Sequence, residues 1–327
     1  MELRRKLGVP VGIISCNWGG TSASAWLDKK YLETEKLSIY LKEYAEAVTN
    51  LEMDEYERLN RIFRKGRGTM ESLMAAEHFP LERKKAFALG PWSENRPGGL
   101  YESMLKRIIP FAARGVIWYQ GESDDRKPEL YAELFEAMID CWRMEWGYCL
   151  PFLYVQLAPF ARQGDNNGNG YPEIRRQQSS VRKEREKVWM ISSGDVGQAD
   201  NLHPAKKMEV GHRLALMALD KIYDQEHSAD APECTGGEKS DKGLELIFTA
   251  ADGLHIKGKH VNALKLYGPE GEITEYIAQV EKEKLLISGF EINRGAKYTV
   301  EFAQSPYYEI NLYNAAQIPA LPFRLQI

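Results

Sequence analysis

The chain has 327 residues, which is enough for one large domain and a smaller one. Hydrophobic residues make up 43% and charged residues 28%, a balance typical of proteins with a buried core rather than of disordered chains. The net charge of -4 lacks the basic excess of a nucleic-acid binder, and no run of about 18 apolar residues predicts a membrane span.

The N-terminal part of the sequence predicts a helix end, a strand and then a helical region. Charged residues up to Gly8 resemble the last turn of a helix, and a chain that begins in mid-helix leads us to expect sequence upstream. The apolar run 9–16 predicts a buried strand. Apolar residues at helical spacing predict helix over about 29–62, and Gly, Pro and charge predict a long loop over 64–99.

Strands and helices are predicted to alternate between residues 100 and 223. Apolar runs predict strands over 115–119, 152–157 and 188–192. Helical spacing predicts helices over 100–113, 129–146, 174–186 and 205–223, with a polar loop over 160–170. This alternation is typical of βαβ units, so it predicts an α/β fold with a parallel sheet.

The pattern changes after residue 224, which predicts a second, smaller module. Pro and Gly predict a linker over 225–243, and short alternating runs beyond it predict antiparallel strands. The expected organisation is therefore a domain over 1–224, a linker over 225–243 and a β module over 244–327.

Polar residues directly follow two of the predicted parallel strands, where ligands bind in open α/β sheets. After the strand at 115–119, Gly121 permits a tight turn, Gln120 could donate its amide to an oxyanion, and Glu122 could act as an acid or base. After the strand at 188–192, the spacing of Asp200 and His203 lets the carboxylate orient the imidazole. Solvated loops are the alternative interpretation of both stretches.

A glycine pair follows the first predicted strand. Gly19 and Gly20 could present backbone N–H groups to a developing negative charge, and a plain turn is the alternative. The sequence predicts no cofactor and no metal site, since its four cysteines form no C-x-x-C pair and it has no H-E-x-x-H, P-loop or G-x-G-x-x-G motif.

The order of these stretches resembles the sialate O-acetylesterase family, a branch of the SGNH-type esterases. The resemblance runs along nearly the whole chain, and the stretches that carry it are Val-Pro-Val-Gly at 9–12, Trp-Gly-Gly-Thr at 18–21, Trp-Tyr-Gln-Gly-Glu-Ser at 118–123, Asp-Asn-Leu-His-Pro at 200–204 and Asn-Leu-Tyr-Asn at 311–314. It implies a three-layer parallel sheet with helices on both faces. It also implies a serine esterase that removes O-acetyl groups from sialic acid or related sugars.

The resemblance also implies roles for the candidate residues. His203 falls on the general base and Asp200 on its partner, while Gly19 or Gly20 falls in the oxyanion block. Gln120, Gly121 and Glu122 fall in the block that shapes the same pocket. The implied partner is an acetylated carbohydrate, with neither nucleic acid nor membrane. The oligomeric state and the location stay open, because no export signal is found although such enzymes are often periplasmic, extracellular or lysosomal.

The sequence departs from the family at the nucleophile. The family places its serine in a Gly-Gln-Ser-Asn-Met stretch, whereas the Gly197-Gln198 pair here is followed by Ala199. We therefore expect the serine to lie outside this chain, in a segment that precedes residue 1. A carbohydrate-binding relative without activity is the alternative.

Overall fold

The computed structural model describes residues 2–65, 81, 85–161 and 169–327. The chain divides into two compact units. The first comprises Met1–Ile13, Ala113–Ala132 and Cys149–Ile327, and the second comprises Ile14–Ala112 and Glu133–Tyr148. Much of the predicted loops over 64–99 and 160–170 lies outside the described residues.

A three-stranded parallel sheet forms the centre of the first unit. Its strands are β1 (Val116–Trp118), β2 (Phe152–Val155) and β3 (Val188–Ile191), in the order β1-β2-β3. Their pairing is in parallel register, with Trp118 opposite Tyr154. The predicted strands and their parallel arrangement are thus confirmed, although β1 is an outer strand of the sheet that the structure describes.

Two helices pack on opposite faces of this sheet. They are α6 (Tyr171–Glu184), which begins and ends a few residues earlier than predicted, and α7 (Lys207–Lys221), which is shorter than predicted. Leu153 joins the apolar cluster that contains side chains of α7, whereas the hydroxyl of its neighbour Tyr154 donates to the carbonyl oxygen of Gln178 on α6. Successive residues of a strand point to opposite faces, so α6 and α7 cover different sides of β2.

The first residues of the chain differ from the prediction in part. Helix α1 (Glu2–Leu7) ends before Gly8, whose φ of +68° suits a glycine, and this end is confirmed. The strand predicted over 9–16 is wrong, since these residues form neither helix nor strand and Ile13 is 89% exposed. An apolar run forms a stable strand only when a neighbouring strand satisfies its backbone, and no such pairing holds this segment within the described chain.

The C-terminal part of the first unit is antiparallel, as predicted. Its strands are β4 (Glu233–Lys239), β5 (Leu244–Thr249), β6 (His255–Ile256), β7 (Leu264–Gly268), β8 (Gly271–Ile273), β9 (Ile277–Glu281), β10 (Lys284–Ser288), β11 (Thr299–Phe302), β12 (Leu312–Tyr313) and β13 (Phe323–Gln326). They form sheets in the orders β4-β5-β10-β9, β13-β11-β7-β8 and β12-β6. Side chains such as Leu246, Leu266 and Val300 fill one apolar core.

The linker predicted over 225–243 needs a correction, because β4 lies inside it and pairs with β5. Gly236 and Gly237 predicted a break in the chain, but the strand accommodates them with a register shift between Cys234 and Gly236. A Cβ on Gly237 would lie 2.7 Å from the side chain of Ile327, so the glycine allows close packing. The domain boundaries at 224 and 244 stay a prediction.

The second unit is helical. Its helices are α2 (Ser38–Thr49), α3 (Met53–Asn60), α4 (Gly99–Ser103) and α5 (Tyr131–Trp146), the last of which begins in the first unit. The helix predicted over 100–113 stops early and continues only as a 3₁₀ turn at Leu105–Arg107, ahead of Pro110, which lacks a backbone N–H to extend a helix. Across the part of the chain that is described, no helix has the length and apolarity needed to cross a bilayer.

Candidate active site

Gln120 braces the turn that follows β1. Its amide nitrogen donates to the Oδ2 of Asp124 at 2.6 Å, and the buried hydroxyl of Tyr131 donates to the Gln120 carbonyl oxygen at 3.1 Å and lies 3.2 Å from its Oε1. Gln178 from α6 donates to the same carbonyl oxygen at 3.3 Å. One N–H of the Gln120 amide already donates to Asp124, so a hydrogen bond to an oxyanion would use the second N–H of this amide. That role stays a prediction.

Gly121 is required by the path of the chain at this turn. Its φ is +147°, and a Cβ there would lie 3.1 Å from Leu157 and 3.2 Å from Ile174. The glycine therefore lets the backbone turn close to the segment after β2 and to α6, and its positive φ fits the tight turn that the sequence led us to expect.

Glu122 begins a 3₁₀ turn, Glu122–Asp124, and its carboxyl group is half-buried. Burial raises the pKa of this carboxyl, and the charge of Asp124 adds to the rise. Its own backbone N–H, Lys207 and His203 act in the opposite direction and lower that pKa. The charge of His203 is thus one of those that act on the Glu122 carboxyl, and sequence analysis selected both residues.

His203 lies in the segment between β3 and α7. Its backbone N–H donates to the Oδ1 of Asn201 at 2.9 Å, and the Asn201 amide donates to Gln198 at 2.9 Å. Asp200 and His203 are both exposed, and in the described chain their side chains make no hydrogen bond with each other. Catalytic hydrogen bonds often tighten only when a ligand is bound, so the Asp200–His203 pair stays a prediction.

The segment before His203 is anchored by a buried ion pair. Asp195 accepts two hydrogen bonds of 2.7 Å from Arg213 on α7, one to each carboxylate oxygen. Sequence analysis missed this pair. The signal was Arg213 itself, because it occupies an apolar position of α7 between Val210 and Met217, where a charged residue needs a buried partner.

Gly19 and Gly20 belong to the second unit, in an exposed turn. Gly20 has a φ of +73°, which favours glycine, and its carbonyl oxygen accepts a hydrogen bond of 3.2 Å from Asn95. Asn95 also accepts one of 2.9 Å from the backbone N–H of Ser22. The turn is thus held within its own unit, and its proximity to His203 stays a prediction.

Over the described residues, no group of three or more His, Cys, Asp and Glu side chains could hold a metal ion. A cavity of about 220 Å³ lies elsewhere in the first unit, between the segment after α7 and the C-terminal strands. Its polar lining includes His227, Asp230 and Asp252, and it contains none of the predicted site residues.

Comparisons with known proteins point to one family. Residues 86–220 match a family model described as carbohydrate esterase, sialic acid-specific acetylesterase. The sialate O-acetylesterase of Mus musculus is 26% identical over 239 residues, and that of Rattus norvegicus is 27% identical over 242 residues. Each match covers 68% of this chain and 41% of the relative, so the chain spans well under half the length of these relatives.

A solved structure is similar over almost the whole chain. It is the crystal structure of a carbohydrate acetylesterase from Xanthomonas citri, with a TM-score of 0.72 and 26% sequence identity. The similarity covers 99% of this chain and 62% of that chain.

Proposed function

Because the chain belongs to the sialate O-acetylesterase family of carbohydrate esterases, we propose that it hydrolyses O-acetyl esters of sialic acid or related acetylated sugars by a Ser-His-Asp mechanism. His203 is the general base and Asp200 the carboxylate that orients it. The observation that carries this proposal is the position of His203 on the segment that follows β3, within electrostatic reach of Glu122 on the turn that follows β1. Both segments lie at the carboxyl ends of parallel strands, where such sheets bind ligands.

In this mechanism a serine hydroxyl attacks the acetyl carbonyl carbon while its proton passes to His203. The Gln120 amide donates a hydrogen bond to the oxyanion that forms, and a backbone donor at Gly19 or Gly20 is the role that the family resemblance implies. His203 then returns the proton to the sugar oxygen as the acyl–oxygen bond breaks, which leaves the acetyl group on the serine. A water molecule, deprotonated by His203, attacks this acetyl-serine, and acetate leaves as the serine takes the proton back. Gly121 and Glu122 shape the pocket, and Asp200 stabilises the imidazolium.

The attacking serine is proposed to come from outside residues 1–327. Ser192 and Ser193 follow β3 directly, but both are fully buried and the hydroxyl of Ser193 donates to the carbonyl oxygen of Gln156. Ser22 in the second unit caps the 3₁₀ turn Ala23–Ala25 through its side chain. These hydroxyls are already used or enclosed. The greater length of the relatives is consistent with a serine on another segment.

The fold proposed for residues 1–224 is the three-layer SGNH-hydrolase arrangement. Its support is the parallel order β1-β2-β3 with α6 and α7 on opposite faces of β2. The TM-score of 0.72 to the acetylesterase from Xanthomonas citri supports the same arrangement.

The test is release of acetate from O-acetylated sialic acid by the complete gene product. His203→Ala should lower kcat by several orders of magnitude, because the serine then has no base. His212→Ala is the matched control, since His212 is an exposed histidine on α7 that pairs with Glu2. A decrease below tenfold for His203→Ala would contradict the proposal. Calorimetric binding of the sugar without any turnover would instead favour the non-catalytic relative.

A further inference from the structure

We propose that the C-terminal antiparallel strands are part of the active-site scaffold, because Tyr313 on β12 and Arg213 on α7 hold Asp195 and thereby position the segment that carries Asp200 and His203. This inference rests on the function proposed above. Tyr313, Asp195 and Arg213 are positioning residues in it, since none of them is expected to touch the substrate.

Arg213 binds Asp195 in a bidentate ion pair that is largely buried. Besides its two bonds to the Asp195 carboxylate, the Arg213 guanidinium donates to the carbonyl oxygen of Ser192 at 3.0 Å. Arg213 is only 5% exposed. Planar, charge-assisted pairs of this kind fix direction as well as distance, so Asp195 has one allowed position relative to α7.

Tyr313 holds the same carboxylate from the C-terminal strands. Its hydroxyl donates to the Oδ2 of Asp195 at 3.3 Å, across 118 positions of sequence. The Tyr313 ring stacks on His255 at 6.2 Å between centroids, and the Lys257 ammonium lies 3.6 Å from its centre. Burial and the Asp195 carboxylate raise the pKa of Tyr313 to about 12, so its hydroxyl keeps its proton near neutral pH.

The chain between Asp195 and Asp200 has little freedom of its own. A Cβ on Gly197 would lie 2.2 Å from the carbonyl oxygen of Pro159, so this backbone passes tightly against the segment after β2. The carbonyl oxygen of Ala199 accepts a hydrogen bond of 3.2 Å from the N–H of Ala161. Residues 198–203 are continuously exposed and include Asp200 and His203, so a shift of Asp195 would be passed on to these two residues.

A second contact ties the C-terminal strands to the segment after β2. The N–H of Phe160 donates to the carbonyl oxygen of Pro306 at 3.0 Å. The buried guanidinium of Arg175 on α6 donates to the carbonyl oxygens of Pro306 and Ser305. The C-terminal strands thus hold the segments that follow β2 and β3, which argues for a scaffold role beyond general packing.

The test compares Tyr313→Phe with Tyr276→Phe by hydrogen–deuterium exchange and by kinetics of the complete gene product. Tyr276 is the matched control, because its hydroxyl donates to the carbonyl oxygen of Leu264 at 2.8 Å within the C-terminal strands. Tyr313→Phe should raise deuterium uptake over residues 196–206 and lower kcat about tenfold with KM within about twofold of wild type, since a small misplacement of a catalytic group is costly. Tyr276→Phe should leave both readouts at the wild-type level.

The two readouts separate the possible outcomes. If Tyr313→Phe leaves deuterium uptake over residues 196–206 unchanged, or if both variants raise it equally, the C-terminal strands do not position this segment and the proposal is overturned. If uptake rises for Tyr313→Phe alone but kcat stays unchanged, the proposal is overturned as well, because the anchored geometry would not matter to catalysis. If the wild-type product releases no acetate, the proposed esterase function fails. The present inference requires that function and is overturned with it. The exchange data still show whether Tyr313 anchors residues 196–206.

Discussion

Replacing Arg213 with methionine should destabilise the first unit by about 3 kcal/mol. Removing one partner of a buried ion pair costs about 3–5 kcal/mol, because the other charge is left without compensation. We expect a loss at the lower end of this range, because the side chain of Asp195 is 16% exposed and still accepts a hydrogen bond from the hydroxyl of Tyr313. Methionine has a similar length and no charge, so the change removes the three hydrogen bonds with little loss of packing.

The measurement is urea unfolding of Arg213→Met, Asp195→Asn and the double variant, followed by circular dichroism. The double variant should be more stable than the sum of the single changes predicts, with a coupling energy of about 2 kcal/mol, because it leaves neither charge buried alone. Arg176→Met is the matched control, since Arg176 also pairs with a carboxylate, Glu173, but its side chain is 66% exposed. Such a surface pair contributes about 0–1 kcal/mol.

Two results would refute this reasoning. A loss below about 1 kcal/mol for Arg213→Met would mean that the buried pair contributes no more than an exposed one. Additive effects of the two single changes would mean that Arg213 and Asp195 do not interact in solution.

Two further predictions concern the turn after β1. Gly121→Ala should lower stability by about 1–3 kcal/mol, because a φ of +147° strains an L residue and a Cβ would crowd Leu157 and Ile174. Thermal unfolding checks this, and an unchanged Tm would contradict it. Glu122→Gln should become more stable relative to wild type as pH rises above the ordinary carboxyl value of 4.5 and through the raised pKa of Glu122. The folded state favours protonated Glu122, so the stability that this protonated side chain contributes at low pH is lost as its proton dissociates. Urea unfolding of both proteins at about pH 4 and about pH 8 measures the change. A stability difference between variant and wild type that is the same at both pH values would argue against this prediction.

Local patterns in the sequence predicted the parallel sheet well. The strands near 116, 152 and 188 and the helices between them follow from apolar runs and helical spacing, which are properties of short stretches. The same pattern failed at 9–16, because an apolar run does not say whether another strand lies beside it. It also failed at β4, where Gly236 and Gly237 predicted a break although close packing against Ile327 requires a small residue.

The candidate site was predictable only where its residues are neighbours in sequence. The stretch 120–122 and the stretch 200–203 stand out because each follows a strand. Asp195 and Arg213 did not stand out, and Tyr313 was noted only as part of the stretch 311–314, without a role. The contacts of these residues join positions 18 and 118 apart and depend on the packing of α7 and β12. The pairing of Asp200 with His203 and the place of Gly19 and Gly20 near them remain predictions.

The outer position of β1 has a practical consequence for work with the purified chain. Ile117, in the middle of this strand, is 63% exposed, and its neighbours Val116 and Trp118 are apolar too. A short apolar strand at a sheet edge can recruit the equivalent strand of another molecule, which is a common start of aggregation. Concentrated samples of residues 1–327 should therefore self-associate through this edge first, and dilute solutions suit biophysical measurements best.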